Sequence, residues 1–137
     1  MKRIIYLAMA IFTLASCNKD QALVKDLEGD WEIKKWKIDG VLSKATNGSM
    51  EFKVCKLKED DCDGNWSFSE EVAGDIVIRS RDFTYAVSES GNEMFITIDY
   101  GNNFIQTWEC EVTLDGDELE LEAVVGSEKY VFELERD

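Results

Sequence analysis

The strongest constraint on the fold is an alternation of apolar and polar residues that recurs between residues 50 and 134. Successive side chains on a β-strand point to opposite faces, so a period of two predicts strands with one buried face. The alternating apolar positions are Met50, Phe52 and Val54; Trp66 and Phe68; Phe83, Tyr85 and Val87; Met94, Ile96 and Ile98; Phe104, Trp108, Cys110, Val112 and Leu114; Leu119, Leu121, Ala123 and Val125; and Tyr130, Phe132 and Leu134. The chain is therefore expected to be all-β, with one dry and one wet face on each strand.

Short turn signals separate these strands and leave little room for crossover helices. The signals are Asp39-Gly40, Asn47-Gly48, Asp63-Gly64, Gly74-Asp75, Ser90-Gly91-Asn92, Gly101-Asn102, Asp115-Gly116 and Gly126-Ser127. Strands joined in order by tight turns form an antiparallel meander, and closure into a barrel removes its exposed edges. We therefore predict an antiparallel up-and-down β-barrel of eight or nine strands, with a β-sandwich as the alternative.

The first strand carries apolar residues in both phases of the alternation. Trp31 and Ile33 share one phase, whereas Trp36 and Ile38 share the other. All four side chains can be buried only if the strand bends between the two pairs. We therefore predict a bulge near residues 34–35.

The first 16 residues have the composition of a secretory signal. Lys2 and Arg3 precede an apolar run of 12 residues, whereas a helix that spans a membrane needs about 20. The sequence LASC at residues 14–17 resembles a bacterial lipobox, in which the cysteine is lipidated and becomes the first residue of the mature chain. The resemblance implies a signal peptide at residues 1–16 and attachment to outer-membrane lipid through Cys17, whose acyl chains would anchor the protein stably.

The residues that follow Cys17 bear on where the anchored protein lies. By the sorting rule of such lipoproteins, Asn18 favours the bacterial outer membrane, with the protein facing either the periplasm or the cell surface. Residues 17–26 are expected to form a polar, lipid-anchored tether that contributes nothing to the core and has at best one or two helical turns. The β-barrel domain is expected to span residues 27–137.

Charge and residue types exclude several classes of function. Removing residues 1–16 takes Lys2 and Arg3 from a chain of net charge −14, which leaves −16 on the mature protein. Such a surface repels nucleic acid and anionic lipid and fits a cationic protein partner, although solubility alone also explains it. The chain contains no histidine, which is the commonest general base and metal ligand. We therefore expect no enzyme activity, no cofactor and no metal site.

The acidic segment EDDCDGNWSFSE, residues 59–70, has two interpretations. Acidic residues at its first, third and fifth positions, glycine at its sixth and Glu70 at its twelfth match the ligand spacing of a calcium loop. However, strands rather than helices are predicted on both sides, and Glu59 stands where such loops normally have aspartate. We therefore favour an acidic hairpin closed by a disulfide, with Asp63-Gly64 as the turn at its tip.

The positions of the cysteines in the alternation indicate which two of them form that disulfide. An exported chain lies in an oxidising compartment, where disulfides persist. Cys55 has the phase opposite to Phe52 and points outward, whereas Cys110 shares the inward phase of Trp108. Because these two cysteines point to opposite faces, we predict that Cys55 pairs with Cys62 and that Cys110 is a buried free thiol.

Two segments at the ends of the predicted barrel resemble the lipocalin family. The sequence LEGDW at residues 27–31 is similar to the family's opening, in which Gly-x-Trp on a bent first strand follows a short helical turn. Residues 130–136 resemble the family's last strand, in which an arginine packs over that tryptophan. The resemblance implies a small lipocalin-like lipoprotein in which Trp31 and Arg136 close one end of a barrel that holds a small apolar ligand.

The inward residues define the expected ligand site, and the sequence leaves open whether the barrel is hollow. The expected cavity is lined by Phe52, Phe83, Tyr85, Ile96, Gln106 and Trp108. Barrels of eight strands are just wide enough to be filled by their own side chains or to admit one small ligand. Gln106 is either a satisfied core amide or the group that orients a ligand. Two functions follow: binding of a small apolar ligand, or a filled acidic barrel that engages a cationic protein partner.

Overall fold

A computed structural model describes residues 19–56, 61–88 and 90–137. The signal segment, Cys17, Asn18, Glu59 and Asp60 lie outside the described residues. These described residues form one helix and nine strands: α1 (Lys19–Leu27), β1 (Gly29–Ile38), β2 (Val41–Leu42), β3 (Thr46–Phe52), β4 (Cys62–Val72), β5 (Asp75–Val87), β6 (Glu93–Asp99), β7 (Ile105–Asp115), β8 (Glu118–Val125) and β9 (Glu128–Arg136). The predicted all-β class is confirmed, with one short helix added.

Eight of the strands close into an antiparallel barrel. The strands β1 and β3 to β9 pair in chain order, and β9 returns to pair with β1 from Trp31↔Arg136 to Ile38↔Tyr130. The short strand β2 pairs with the last two residues of β1. It lies on the same side of β1 as β3 does, but nearer the end of that strand. The predicted up-and-down barrel is therefore confirmed, with eight strands in the barrel and β2 as a ninth.

The barrel has two different ends, because each of its strands runs from one end to the other. One end carries α1, the β3–β4 connection, the β5–β6 and β7–β8 turns and the last residues of β9. We call it the closed end. The opposite end carries the β1–β3 connection and the β4–β5, β6–β7 and β8–β9 turns. We call it the open end.

The helix α1 packs across the closed end. Leu23 and Leu27 lie four residues apart, which places them on one helix face, and both side chains are buried in the core. The indole N–H of Trp31 donates a hydrogen bond of 2.7 Å to the Leu27 carbonyl oxygen. The expectation that residues 17–26 contribute nothing to the core is therefore wrong at Leu23, since docking of the helix removes this apolar side chain from water.

The first strand bends where the sequence predicts. The register between β1 and β9 shifts between Ile33 and Lys35. Because of this bulge, Trp31 and Trp36 both reach the interior although their phases in the sequence differ. Trp31 is fully buried, and Trp36 is partly buried and packs against the core.

Two of the predicted turns are instead parts of strands, and each contains a glycine close to a neighbouring side chain. Asn47 and Gly48 lie within β3, where the register to β4 shifts, and a Cβ at Gly48 would lie 2.9 Å from Cδ1 of Ile33. Asp63 and Gly64 lie within β4. The predicted Asp63-Gly64 turn at the tip of the acidic hairpin is therefore wrong.

The position of Gly64 explains why a turn-like dipeptide occurs inside a strand. Gly64 pairs with Phe83 of β5, and a Cβ at this position would run into the Phe83 ring. The same Cβ would lie 2.8 Å from the Glu51 carbonyl oxygen. Glycine in a strand often marks such a close approach.

The alternation also overestimates burial just beyond two strand ends. Val54 follows the last residue of β3 and is 77% exposed, and Phe104 precedes β7 and is 58% exposed. Both were predicted to face the core. Outside the hydrogen-bonded ladder the backbone no longer holds the strand pleat, so the period of two does not set where these side chains point.

Candidate functional site

The closed end is sealed by contacts among α1, Trp31 and Arg136. The guanidinium carbon of Arg136 lies 4.3 Å from the centroid of the Trp31 ring, the arrangement that the lipocalin resemblance implies. The same guanidinium donates hydrogen bonds of 2.6 Å to the Asp26 carbonyl oxygen and 2.9 Å to that of Glu28. The last carbonyl groups of a helix have no partner within it, so Arg136 satisfies one of them while it covers the tryptophan.

A disulfide lies at the same end and confirms the predicted pairing. Cys55 and Cys62 are bonded, with their Cα atoms 5.3 Å apart. Cys110 is a free, buried cysteine, also as predicted. Burial raises the pKa of the Cys110 thiol to about 12, so the thiol stays protonated near neutral pH and does not act as a nucleophile.

The acidic segment does not fold as a loop where it is described. Asp63 and Glu70 both belong to β4, so they lie roughly 23 Å apart on an extended strand. A calcium loop instead folds back so that its ligands surround one ion. Among the described residues, no three side chains of the metal-binding types come together as a site.

The expected cavity residues nearest the closed end pack on one another. They lie in the half of the barrel next to that end, which we call the lower half. The ring centroid of Phe52 lies 5.6 Å from that of Phe83 and 5.1 Å from that of Tyr85, both in edge-to-face contact. Burial, with the nearby Glu28 carboxylate as a smaller cause, raises the pKa of Tyr85 to about 12. Ile96 is fully buried as well. These side chains fill the lower half of the barrel.

Gln106 and Trp108, the other two expected cavity residues, interact with each other. Trp108 is buried, and its indole N–H donates a hydrogen bond of 3.2 Å to Oε1 of the partly buried Gln106. Of the two roles considered for Gln106, the geometry fits that of a satisfied amide, because its oxygen is already occupied.

Trp108 belongs to a second group of rings towards the open end, which we call the upper aromatic cluster. Its members are Trp36, Trp66, Phe68, Trp108, Tyr130 and Phe132. The Trp36 ring centroid lies 5.2 Å from that of Trp66 and 5.3 Å from that of Phe68, at interplanar angles of 75° and 70°. Such edge-to-face pairs add about 0.5–1.5 kcal/mol each beyond the area they bury.

Two polar groups in the upper aromatic cluster have no partner. The indole Nε1 atoms of Trp36 and Trp66 are both buried and make no hydrogen bond. The remaining two tryptophans differ, since the N–H of Trp31 and the N–H of Trp108 each donate one. A buried, unsatisfied donor costs about 1–3 kcal/mol, so the upper half of the barrel carries a polar cost that the closed end does not.

A cleft in the barrel wall opens beside one of these indoles. The pairing of β1 with β3 runs from Gly29↔Phe52 to Glu32↔Ser49, and beyond this point the two strands separate. The resulting cleft has a volume of about 350 Å³. It is lined by the apolar residues Ile33, Trp36, Leu42, Ala45 and Phe68 and by the polar residues Lys34, Lys35, Ser43, Thr46 and Asn47. This volume lies within the range of small-molecule pockets, about 300–1,000 Å³.

Sequence reasoning did not identify Trp36 and Trp66 as site residues. The alternation places Trp66 on an inward face, and the bulge brings Trp36 inward, but neither pattern reveals whether an inward N–H finds an acceptor. The sequence did contain one indication that some indole N–H groups lack a partner. A buried tryptophan needs an acceptor, and Gln106 is the one polar residue identified on the inward face.

Comparison with known proteins identifies one feature. The family model described as a prokaryotic membrane lipoprotein lipid attachment site matches residues 1–18, which include Cys17. No curated protein and no solved structure gives a significant match to the chain. Within the described part of the chain, no helix has the length and apolar character needed to cross a membrane. The protein is therefore a lipid-attached lipoprotein that carries an eight-stranded β-barrel.

Proposed function

We propose that this lipoprotein binds a small molecule that has an apolar body and one or two hydrogen-bond acceptors. The observation that carries the proposal is the pair of buried, unpartnered indole donors of Trp36 and Trp66. An acceptor on the ligand would satisfy donors that are otherwise costly, which gives the site both affinity and orientation.

The route to the donors passes through the cleft between β1 and β3. Trp36 lines the cleft and is only partly buried, whereas the Trp66 ring lies in edge-to-face contact behind it. Rotation of the Trp36 side chain would open the upper aromatic cluster to the cleft. In the closed arrangement neither N–H has a hydrogen-bond acceptor, and an oxygen atom on the ligand would supply one.

The ligand site is therefore proposed at the upper aromatic cluster rather than among all six expected cavity residues. Phe52, Phe83 and Tyr85 pack on one another in the lower half. We further propose that the protein is lipocalin-like and acts without catalysis, because the chain contains no histidine to serve as a general base. Asn18, next to Cys17, supports a place at the outer membrane.

Native mass spectrometry of the lipidated protein, extracted in mild detergent from its own envelope, tests this proposal. The wild type is expected to retain a bound species of defined mass. Trp36→Phe keeps a ring at this position but removes one donor, and the loss of about 0.5–1.5 kcal/mol should reduce occupancy about 2- to 13-fold at limiting ligand. Failure to detect a species on the wild type under gentle conditions would contradict the proposal.

Trp31→Phe is the matched control variant. It also removes one indole N–H, but this N–H is paired with the Leu27 carbonyl oxygen at the closed end, outside the proposed ligand site. We expect it to retain the bound species at close to the wild-type level. Equal loss of the species in both variants would show that general repacking, rather than the unpartnered donor of Trp36, determines retention.

A second candidate function is engagement of a cationic protein, which the β4–β5 hairpin supports. The pairing of β4 with β3 ends at Ser69, and that of β5 with β6 begins at Phe83. Residues 70–82, which we call the arm, therefore extend past both neighbours at the open end. Ile76 is 80% exposed and Ile78 is 75% exposed, and two such neighbouring apolar residues favour a contact surface.

Charge on the arm supports a cationic partner. Its acidic side chains are Glu70, Glu71, Asp75 and Asp82 and its basic ones are Arg79 and Arg81, so four negative and two positive charges leave a net charge of −2. Glu70 pairs with Arg79 at 2.6 Å. A photo-crosslinker at position 76 is expected to capture one discrete protein, with a yield that falls as salt rises. The matched position is Val124 on β8, which is also exposed. The same adduct at both positions, or a yield independent of salt, would contradict this function.

A further inference from the structure

The distance between the lipid attachment site and the folded barrel is very short. The helix α1 begins at Lys19, and one residue separates it from Cys17. Since consecutive Cα atoms are about 3.8 Å apart, the Cα of Cys17 lies within about 7.5 Å of that of Lys19. A lipid on Cys17 is thus attached almost directly to the first turn of the helix.

The helix itself is fixed to the barrel. Leu23 and Leu27 are buried in the core, and the carbonyl oxygens of Asp26 and Leu27 accept hydrogen bonds from Arg136 and Trp31. The helix therefore cannot act as a free tether without breaking core contacts. Any constraint on the position of Cys17 is passed to the closed end of the barrel.

We infer that the closed end of the barrel rests on the surface of the lipid bilayer, with the open end turned away from it. The acyl chains of Cys17 insert into the bilayer, and the short connection brings α1 to the headgroups. The lipid attachment at Cys17 sets this orientation. The charge of the closed end does not, because acidic residues such as Asp117 and Asp137 lie there too.

One surface segment at the closed end has the composition expected next to headgroups. Val54 is 77% exposed and lies between Lys53 and Lys56, both also exposed. An apolar residue flanked by lysines suits the boundary between lipid phosphates and acyl chains. The Cys55–Cys62 disulfide holds this segment to the start of β4.

The opposite end then stands well clear of the membrane. Strand β8 runs from Glu118 at the closed end to Val125 at the open end. With about 3.4 Å per residue and a strand tilt of about 40°, the β8–β9 turn stands roughly 20 Å or more further from the lipid than Glu118 does. This places the cleft mouth and the arm on the side accessible to other molecules.

Short-range quenching by lipid tests the orientation. The lipidated protein is reconstituted into vesicles of phosphatidylethanolamine and phosphatidylglycerol that contain a lipid with a nitroxide on its headgroup. A small fluorophore is attached at Glu118→Cys or at Ser127→Cys, two exposed positions at opposite ends of the same hairpin. Cys110 is buried and does not compete for the label. We expect strong quenching at position 118 and little at position 127.

Two further variants separate orientation from simple proximity. A flexible Gly/Ser insertion of about 20 residues between Asn18 and Lys19, with a mean span of about 25 Å, should lower the quenching at position 118 to that at position 127. Cys17→Ser, without lipid, gives the background. Equal quenching at both positions in the native chain, or no effect of the insertion, would overturn the inference.

Discussion

Trp31 and Trp36 lie on the same strand and both reach the barrel interior, yet only one of their indole N–H groups has a hydrogen-bond acceptor. The N–H of Trp31 donates to Leu27, and Arg136 covers its ring. The N–H of Trp36 is buried without a partner, and its ring borders a cleft. The closed end therefore pairs the N–H of its tryptophan, whereas the half of the barrel towards the open end has two buried donors without an acceptor.

The largest expected effect is on the closed end itself. Trp31→Ala removes a fully buried indole and should lower the free energy of unfolding by about 3–5 kcal/mol. Trp36→Ala should cost clearly less, because Trp36 is partly exposed and the substitution also removes an unsatisfied donor. Chemical denaturation of the two variants measures both values. Equal losses would contradict the conclusion that the closed end contributes more to stability than the region around Trp36.

The disulfide should be the next largest contribution to the closed end. Cys55 and Cys62 are 7 residues apart, and the chain-entropy model gives about 2.5 kcal/mol for closing so short a loop. The double variant Cys55→Ser/Cys62→Ser should lose stability by that amount. Chemical denaturation of this variant and of the wild type measures the loss. A loss close to zero would show that the bridge does not stabilise the fold.

Arg136→Lys keeps the positive charge at the closed end and removes the guanidinium group. It therefore tests the contacts of the guanidinium apart from its charge. Lysine cannot donate to both the Asp26 and Glu28 carbonyl oxygens while it covers Trp31, so we expect a loss of about 2 kcal/mol. The control is Arg81→Lys at the open end, where the guanidinium lies 5.7 Å from the Tyr100 ring. This exposed contact should contribute under about 0.5 kcal/mol. Similar losses at both sites would contradict the assignment of stability to the closed end.

The smallest expected effect is the fall in stability between pH 9 and 10 that comes from Cys110. Burial raises the pKa of its thiol from 9.0 to about 12, so the folded protein keeps its proton at a pH where the unfolded chain loses it. This stabilisation is fully present below pH 9 and is lost as pH rises to 12, by about 1.4 kcal/mol per pH unit. Between pH 9 and 10, stability should fall more steeply in the wild type than in Cys110→Ala. Parallel slopes would show that the thiol is not protected by burial.

The parts of the fold that were predicted correctly depend on short stretches of sequence. The period of two between residues 50 and 134 specifies strands, and most of the turn dipeptides, such as Asp39-Gly40, do end them. The bulge near residues 34–35 could also be predicted, because Trp31 and Trp36 had to reach the same interior from opposite phases. The Cys55–Cys62 bridge was predicted because Cys55 and Cys110 have opposite phases, although Cys55 lies beyond the end of β3 and packs against the core instead of pointing outward.

The predictions that failed depended on long-range contacts. The Asp63-Gly64 dipeptide is a turn signal locally, but Gly64 pairs with Phe83 and leaves room for its ring. Leu23 belongs to a segment that looks like a polar tether, yet docking of α1 on the closed end buries it. In both cases the deciding neighbour lies about 20 residues away or further.

The lipid attachment at Cys17, the all-β class and the order of the strands can therefore be read from the amino-acid sequence, because each depends on residues that are neighbours in the chain. Which indole N–H groups find acceptors, and where β1 and β3 separate, depends instead on the folded barrel. These features arise from the closure of the barrel, which brings together residues such as Trp36 and Trp66 that are distant in sequence. Local periodicity specifies which face a side chain occupies, but only packing and register specify what it meets there.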